Sequence, residues 1–90
     1  MKQAEKLLRR MRQSKSGWGQ VDFAKLYIGF GFEATEGKKH TIYIHPEYPN
    51  LRASVGRHNN LATGYAETAI NLIDQLKKLQ AAREDESDAN

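Results

Sequence analysis

One short stretch of the chain places a histidine beside two lysines at the start of a strand-forming run. The segment reads Gly37-Lys38-Lys39-His40-Thr41-Ile42-Tyr43-Ile44-His45-Pro46. Branched and aromatic side chains favour strands, and the glycine and proline interrupt them, which predicts a strand over residues 40–45. Imidazole is the side chain that ordinarily exchanges protons near neutral pH, so His40 is a candidate general acid or base. Lys38 and Lys39 give it a setting suited to a phosphate.

Cleavage of RNA is a reaction that this set of side chains could perform without a metal. One group must take the 2′-hydroxyl proton or protonate the departing 5′-oxygen, and cations must stabilise the extra charge on phosphorus. His40 could do the first. Lys38, Lys39 and Arg57 could do the second, provided that the end of the third strand lies beside the start of the second. The alternative is that His40 is a surface or capping histidine without a catalytic role.

The other two histidines are weaker candidates. His45 precedes Pro46, which favours a structural role in capping the following loop, and His58 could contribute to RNA binding. The three histidines lack the spacing of a metal site, and no serine occupies a Gly-x-Ser-x-Gly turn. We therefore expect no metal, no cofactor and no serine-hydrolase chemistry.

Composition limits the architecture further. The 90 residues fit one domain, and without cysteine neither a disulfide framework nor a thiolate zinc site can stabilise its small core. No apolar run approaches the roughly 18 residues that cross a bilayer, and the first residues do not resemble a signal peptide. We expect a cytoplasmic protein with no membrane partner.

Charge is distributed unevenly along the chain. The formal net charge is +3, but four acidic residues fall within 84–90, so the remainder carries +7. A basic body suggests a polyanionic partner such as RNA. The composition predicts one domain over residues 1–82 and an acidic disordered tail over 83–90.

The periodicity of apolar residues predicts three helices and three strands. Basic, amphipathic residues 2–13 and mostly apolar residues 18–28 are the first two helices, and Thr63 to Leu79 is the third. Residues 32–36, 40–45 and 51–55 are the strands, joined by turns short enough for an antiparallel meander. The predicted fold is α+β, with a three-stranded antiparallel sheet and helices on one face. Strand alternation assigns His40, with Ile42 and Ile44, to the core side, and it assigns Thr41, Tyr43 and His45 to the exposed side.

These segments together resemble a known family, the HicA-type toxins of bacterial toxin-antitoxin systems. The resemblance covers residues 20–80 and rests on Gly-Phe before the first strand, the 38–46 block ending in His-Pro, Val55-Gly56-Arg57-His58, and the terminal amphipathic helix. It implies a fold like the double-stranded-RNA-binding domain and metal-independent cleavage of mRNA, with His40 as the catalytic histidine. It also implies a HicB-type antitoxin that covers the active site and through which oligomers could form.

The chain departs from the family pattern at named positions. Lys38-Lys39 replaces a Gly-Ser pair, Thr41 replaces a second histidine, and Gly56 replaces a proline. The helix over residues 2–13 is an addition to the usual toxin. Two alternatives to a ribonuclease therefore stay open: a non-catalytic RNA-binding module that uses the same basic face, and a small interaction protein whose basic first helix docks on an acidic partner.

Overall fold

A computed structural model describes residues 2–89, and within them the side chains of residues 3–84. Met1 and Asn90, the outermost residues of the predicted domain and tail, lie outside this range. Along the chain the elements are α1 (Lys2–Gln13), α2 (Gln20–Gly29), β1 (Glu33–Glu36), β2 (His40–Ile44), β3 (Arg52–Gly56) and α3 (Thr63–Ala89). The predicted α+β fold with a three-stranded antiparallel sheet is confirmed.

The sheet is a meander in the order β1-β2-β3. Thr35 lies opposite Ile42 in the first pair, and His40 lies opposite Gly56 in the second. This register brings the start of β2 beside the end of β3, as the sequence analysis required for a shared site.

Helices cover one side of the sheet, here called the covered face. Its central residue is Tyr43, whose ring stacks on Tyr27 of α2 at a centroid distance of 4.8 Å, and Phe32 meets Tyr27 edge-on at 5.1 Å. Such pairs contribute about 0.5–1.5 kcal/mol each beyond their buried area. From α3, the buried side chains are Ala66, Ala69, Ile70, Ile73 and Leu76.

The predicted orientation of β2 is wrong. Burial along the strand alternates so that Thr41 and Tyr43 are buried, whereas His40 is exposed and Ile42 and Ile44 are only half-buried. His40, Ile42 and Ile44 therefore lie on the side away from the helices, here called the open face. The reason is that Tyr43 fills the gap against Tyr27 that two isoleucines were expected to fill.

Helix α1 packs on the core through its apolar stripe and is joined to α3 by two ion pairs. Ala4, Leu8 and Met11 are buried. Arg12 binds Asp74 through both guanidinium nitrogens, and Lys77 Nζ lies 3.0 Å from Glu5 Oε1.

Helix α3 is ten residues longer than the sequence pattern predicted. It continues past Leu79 to Ala89, through residues 83–89 that were assigned to a disordered tail. The residues just after Leu79 are Gln80, Ala81, Ala82 and Arg83, which are strong helix formers and explain the continuation. In the part of the chain that the structure describes, no helix is long and apolar enough to span a membrane.

Candidate functional site

The hairpin between β1 and β2 presents Lys38, Lys39 and His40 together. Gly37 N–H donates to the carbonyl oxygen of His40 at 2.8 Å, so Lys38 and Lys39 form a two-residue tip. A side chain on Gly37 would place its Cβ 2.9 Å from that oxygen, which explains the glycine. The side chains of Lys38, Lys39 and His40 are all exposed. Within the described residues neither lysine forms an ion pair.

Arg57, which was predicted to help His40 and the lysines bind a phosphate, has its guanidinium group bound to the hairpin itself. One guanidinium nitrogen donates to Glu36 Oε1 at 2.6 Å and to the carbonyl oxygen of Gly37. The other donates to the carbonyl oxygen of Lys38 at 3.2 Å. Arg57, directly after β3, thus fixes the hairpin tip across about twenty residues of sequence. A direct contact between Arg57 and RNA stays a prediction.

The Arg57 side chain also lies towards the covered face. Together with Thr41 and Tyr43 it lines a cavity of about 310 Å³ against the start of α2. Thr41 Oγ1 donates to Glu36 Oε1 at 3.1 Å, so one carboxylate oxygen holds both a buried hydroxyl and the arginine. Because successive strand residues point to opposite faces, the side chain of His40 is directed away from this cavity.

His58 is exposed just beyond β3, two residues after the register partner of His40. Its carbonyl oxygen accepts the N–H of Gln20 at 2.8 Å, which attaches the chain after β3 to the start of α2. His58 and His40 therefore lie at the same end of the sheet, and a role for His58 in RNA binding stays a prediction.

His45 is buried, with an exposed fraction of 3%. Its Nδ1 accepts the N–H of Glu47 at 3.2 Å, which closes the turn after Pro46 as expected of a loop-capping residue. Its ring meets Phe32 edge-on at a centroid distance of 5.2 Å and Tyr48 at 5.3 Å. The sequence analysis had assigned His45 to the exposed side of the strand, which is wrong for the same reason as the orientation of β2. His45 is thus part of the core.

Two tyrosines near the hairpin are unsuited to acid-base chemistry at neutral pH. Burial raises the pKa of Tyr27, and so, to a lesser extent, does the neighbouring Tyr43. Burial likewise raises the pKa of Tyr43, with Glu36 adding to the shift. Both phenols keep their protons well above pH 7, so neither can act as a base there. The exposed imidazoles at this end of the sheet are those of His40 and His58, and His40 directly follows the lysine tip.

Among the side chains of residues 3–84, no group of three histidine or acidic residues is arranged to hold a metal ion. The chain has no match among protein-family models, curated proteins or solved structures.

Proposed function

We propose that this chain is a toxin of a type II toxin-antitoxin system, an endoribonuclease that cleaves mRNA without a metal. In this proposal His40 acts as general acid or base on the 2′-hydroxyl or the 5′-oxygen. Lys38 and Lys39 bind the phosphate and stabilise the charge that develops on it. A HicB-type antitoxin would neutralise the activity by covering the hairpin.

The observation that supports this proposal best is the exposure of Lys38, Lys39 and His40 at one hairpin end. On the open face, within the described residues, His40 is exposed and Ile42 and Ile44 are only half-buried, so an RNA backbone can approach the imidazole without displacing the core. The tip is also preorganised, because Arg57 binds its carbonyl oxygens. Fixed positions for catalytic groups are worth several powers of ten in rate, since little motion has to be frozen during the reaction.

The decisive experiment compares the wild-type chain with His40→Ala on a fluorescent RNA oligonucleotide in the presence of a chelator. We expect the mutant to lose about 10²- to 10⁴-fold in cleavage rate, the usual contribution of a general acid or base. Its affinity for RNA should change little. Circular dichroism and thermal unfolding of both proteins serve as the control for folding.

Variants of the lysines separate binding from chemistry. Lys38→Ala with Lys39→Ala should weaken RNA binding and flatten its dependence on salt, because each phosphate contact releases counterions. Arg9→Ala with Lys78→Ala, at two exposed cations that form no ion pair within the described residues, is the matched control with the same change in charge. Induction in a bacterial host should arrest growth and fragment mRNA for the wild type only.

Two results would redirect the proposal. If the wild type binds RNA but neither it nor His40→Ala cleaves, the chain is the non-catalytic RNA-binding module considered above. If it neither binds nor cleaves RNA, both RNA readings are wrong, and the chain is better explained as an interaction protein.

A further inference from the structure

A strip of exposed aliphatic side chains runs along the side of α2. Val21 and Ile28 are exposed to 58% and 55%. They lie seven residues apart with half-buried Ala24 between them, so all three share one side of the helix. Beside this strip, Leu7 of α1, Ala24 and Ile28 line a groove of about 380 Å³ between the two helices. We call this feature the α1–α2 groove.

Basic side chains lie beside the α1–α2 groove. Lys25 lines it directly, and Lys6 and Arg10 are exposed on α1, each three residues after a residue that lines the groove, Gln3 and Leu7. Arg10 also lies over the Trp18 ring, 5.4 Å from its centroid. Within the described residues, Lys6 and Lys25 form no ion pair.

The acidic side chains closest in sequence are engaged elsewhere. Glu5 pairs with Lys77 on the α3 side of α1. Asp22 accepts the N–H of Gly19 at 2.9 Å, at the start of α2. The groove therefore combines an apolar floor with a positive rim.

We propose that the α1–α2 groove docks an acidic amphipathic helix of a partner protein. Apolar anchors at positions i, i+3, i+4 and i+7 of such a helix would fill the groove beside Leu7 and Ile28. Its carboxylates would meet Lys6 and Lys25, which selects partners by charge. The inference does not depend on the ribonuclease proposal, since none of these residues belongs to the β1–β2 hairpin.

Two other polyanionic partners fit the groove less well. Single-stranded RNA is held largely by stacking on aromatic side chains, and the groove offers aliphatic ones. A basic helix that lies on a membrane must insert its apolar stripe, but Ala4, Leu8 and Met11 of α1 are buried in the core. An acidic helix can use both the floor and the rim.

The test uses a fluorescent peptide of about four helical turns, with leucine at i, i+3, i+4 and i+7 and glutamate on its remaining faces. We expect binding to the wild type in the micromolar range. Val21→Asp and Ile28→Asp should each weaken it about tenfold or more, the equivalent of about 1.4 kcal/mol. Lys25→Glu should weaken it less and reduce its sensitivity to salt.

Matched controls come from α3. Leu79→Asp introduces the same charge at another exposed aliphatic side chain, one that is 41% exposed, and should leave peptide binding unchanged. Lys78→Glu is the equivalent control for the rim. RNA cleavage by Ile28→Asp should equal that of the wild type, because Ile28 lies outside the cavity that Val21 lines together with Arg57. Because these side chains are largely exposed, the variants should unfold at the wild-type temperature, and Ile28→Ala provides a milder change if one does not.

Three outcomes would overturn the inference. The first is that the peptide does not bind, or that a scrambled peptide of the same composition binds equally well. The second is that Leu79→Asp weakens binding as much as Ile28→Asp. The third is that Ile28→Asp reduces binding of a single-stranded RNA, or of phosphatidylcholine–phosphatidylserine vesicles, but not of the peptide, which would assign the groove to that other partner.

Discussion

The two faces of the sheet use the same residue type in opposite ways, as His40 and His45 show. His40 opens β2 on the open face, and within the described residues its imidazole has no hydrogen-bond partner. His45 directly follows β2 and is enclosed by Phe32 and Tyr48, with Nδ1 engaged by the Glu47 amide. They are five positions apart, an odd interval, so they point to opposite sides. On the covered side, His45 therefore stabilises the fold, whereas on the open face His40 is accessible to a ligand.

Replacing the buried histidine should have the largest effect on stability. His45→Ala leaves a cavity against Phe32 and removes the acceptor for the Glu47 N–H, which should lower the free energy of unfolding by about 2–4 kcal/mol. Urea unfolding followed by circular dichroism measures this loss. The matched change, His40→Ala, should stay within about 0.5 kcal/mol of the wild type. Equal losses at the two positions would contradict the division between the faces.

Replacing Gly31, which lies against the buried His45, should lower the stability by a smaller amount. Gly31 has φ +94°, and a Cβ there would lie 3.3 Å from His45 Nε2. Gly31→Ala should therefore cost about 1–2 kcal/mol, because residues with a Cβ are strained in the left-handed region. Thermal unfolding tests this. In Gly64→Ala, where a Cβ has open space in a helix, stability should instead rise by up to about 1 kcal/mol.

The contacts of Arg57 connect the covered side to the lysine tip. A variant of Arg57 can therefore test whether this residue positions the tip or contacts RNA directly. Lysine cannot reproduce the forked contacts of Arg57 with Glu36 and two carbonyl oxygens. Arg57→Lys should cost only about 0.5–1 kcal/mol, since the pair is partly exposed, but should shift the amide NMR signals of Lys38 and Lys39. Unchanged amide signals together with lost RNA affinity would instead indicate direct contact between Arg57 and RNA, as the sequence predicted.

The smallest expected change in stability comes from the protonation of Asp74 at acid pH. The hydrogen bond from Arg12, helped by the charges of Arg12 and two lysines, lowers the pKa of Asp74 below its ordinary value of 3.8. The stability from this ion pair is therefore fully present above pH 3.8 and is lost as the pH falls through the lower, folded-state value. It should amount to less than about 1 kcal/mol, because both side chains are substantially exposed. Acid titration of Asp74→Asn, compared with the wild type, isolates it.

The order and type of all six elements could be predicted from sequence, but the orientation of β2 could not. Alternation identifies a buried face only when one parity is apolar and the other polar. In β2 both parities are apolar, with Ile42 and Ile44 on one side and Tyr43 on the other. The choice is made by Tyr27, sixteen positions earlier, whose ring stacks on Tyr43.

The same limit applies to the site. His40, Lys38 and Lys39 are neighbours in sequence, so their proximity could be predicted. The role of Arg57 depends on Glu36 and on two carbonyl oxygens about twenty residues away, and no local pattern encodes these contacts. At the end of α3, acidic composition suggested disorder, while the local helix propensity of residues 80–83 favoured continuation.

The length of α3 has a consequence for the way in which the molecule opens. Its 27 residues extend for about 40 Å, but among the side chains described, up to Glu84, the last buried one is Leu76. Beyond that point, through Glu84, the described side chains are exposed, and the Arg83–Glu47 pair is a surface contact. Hydrogen exchange should therefore be fast in these turns and slow from Ala66 to Leu76. We therefore expect the turns between Leu76 and Glu84 to open without changing the hairpin, because Arg83 contacts Glu47 at the end of the sheet opposite the hairpin tip.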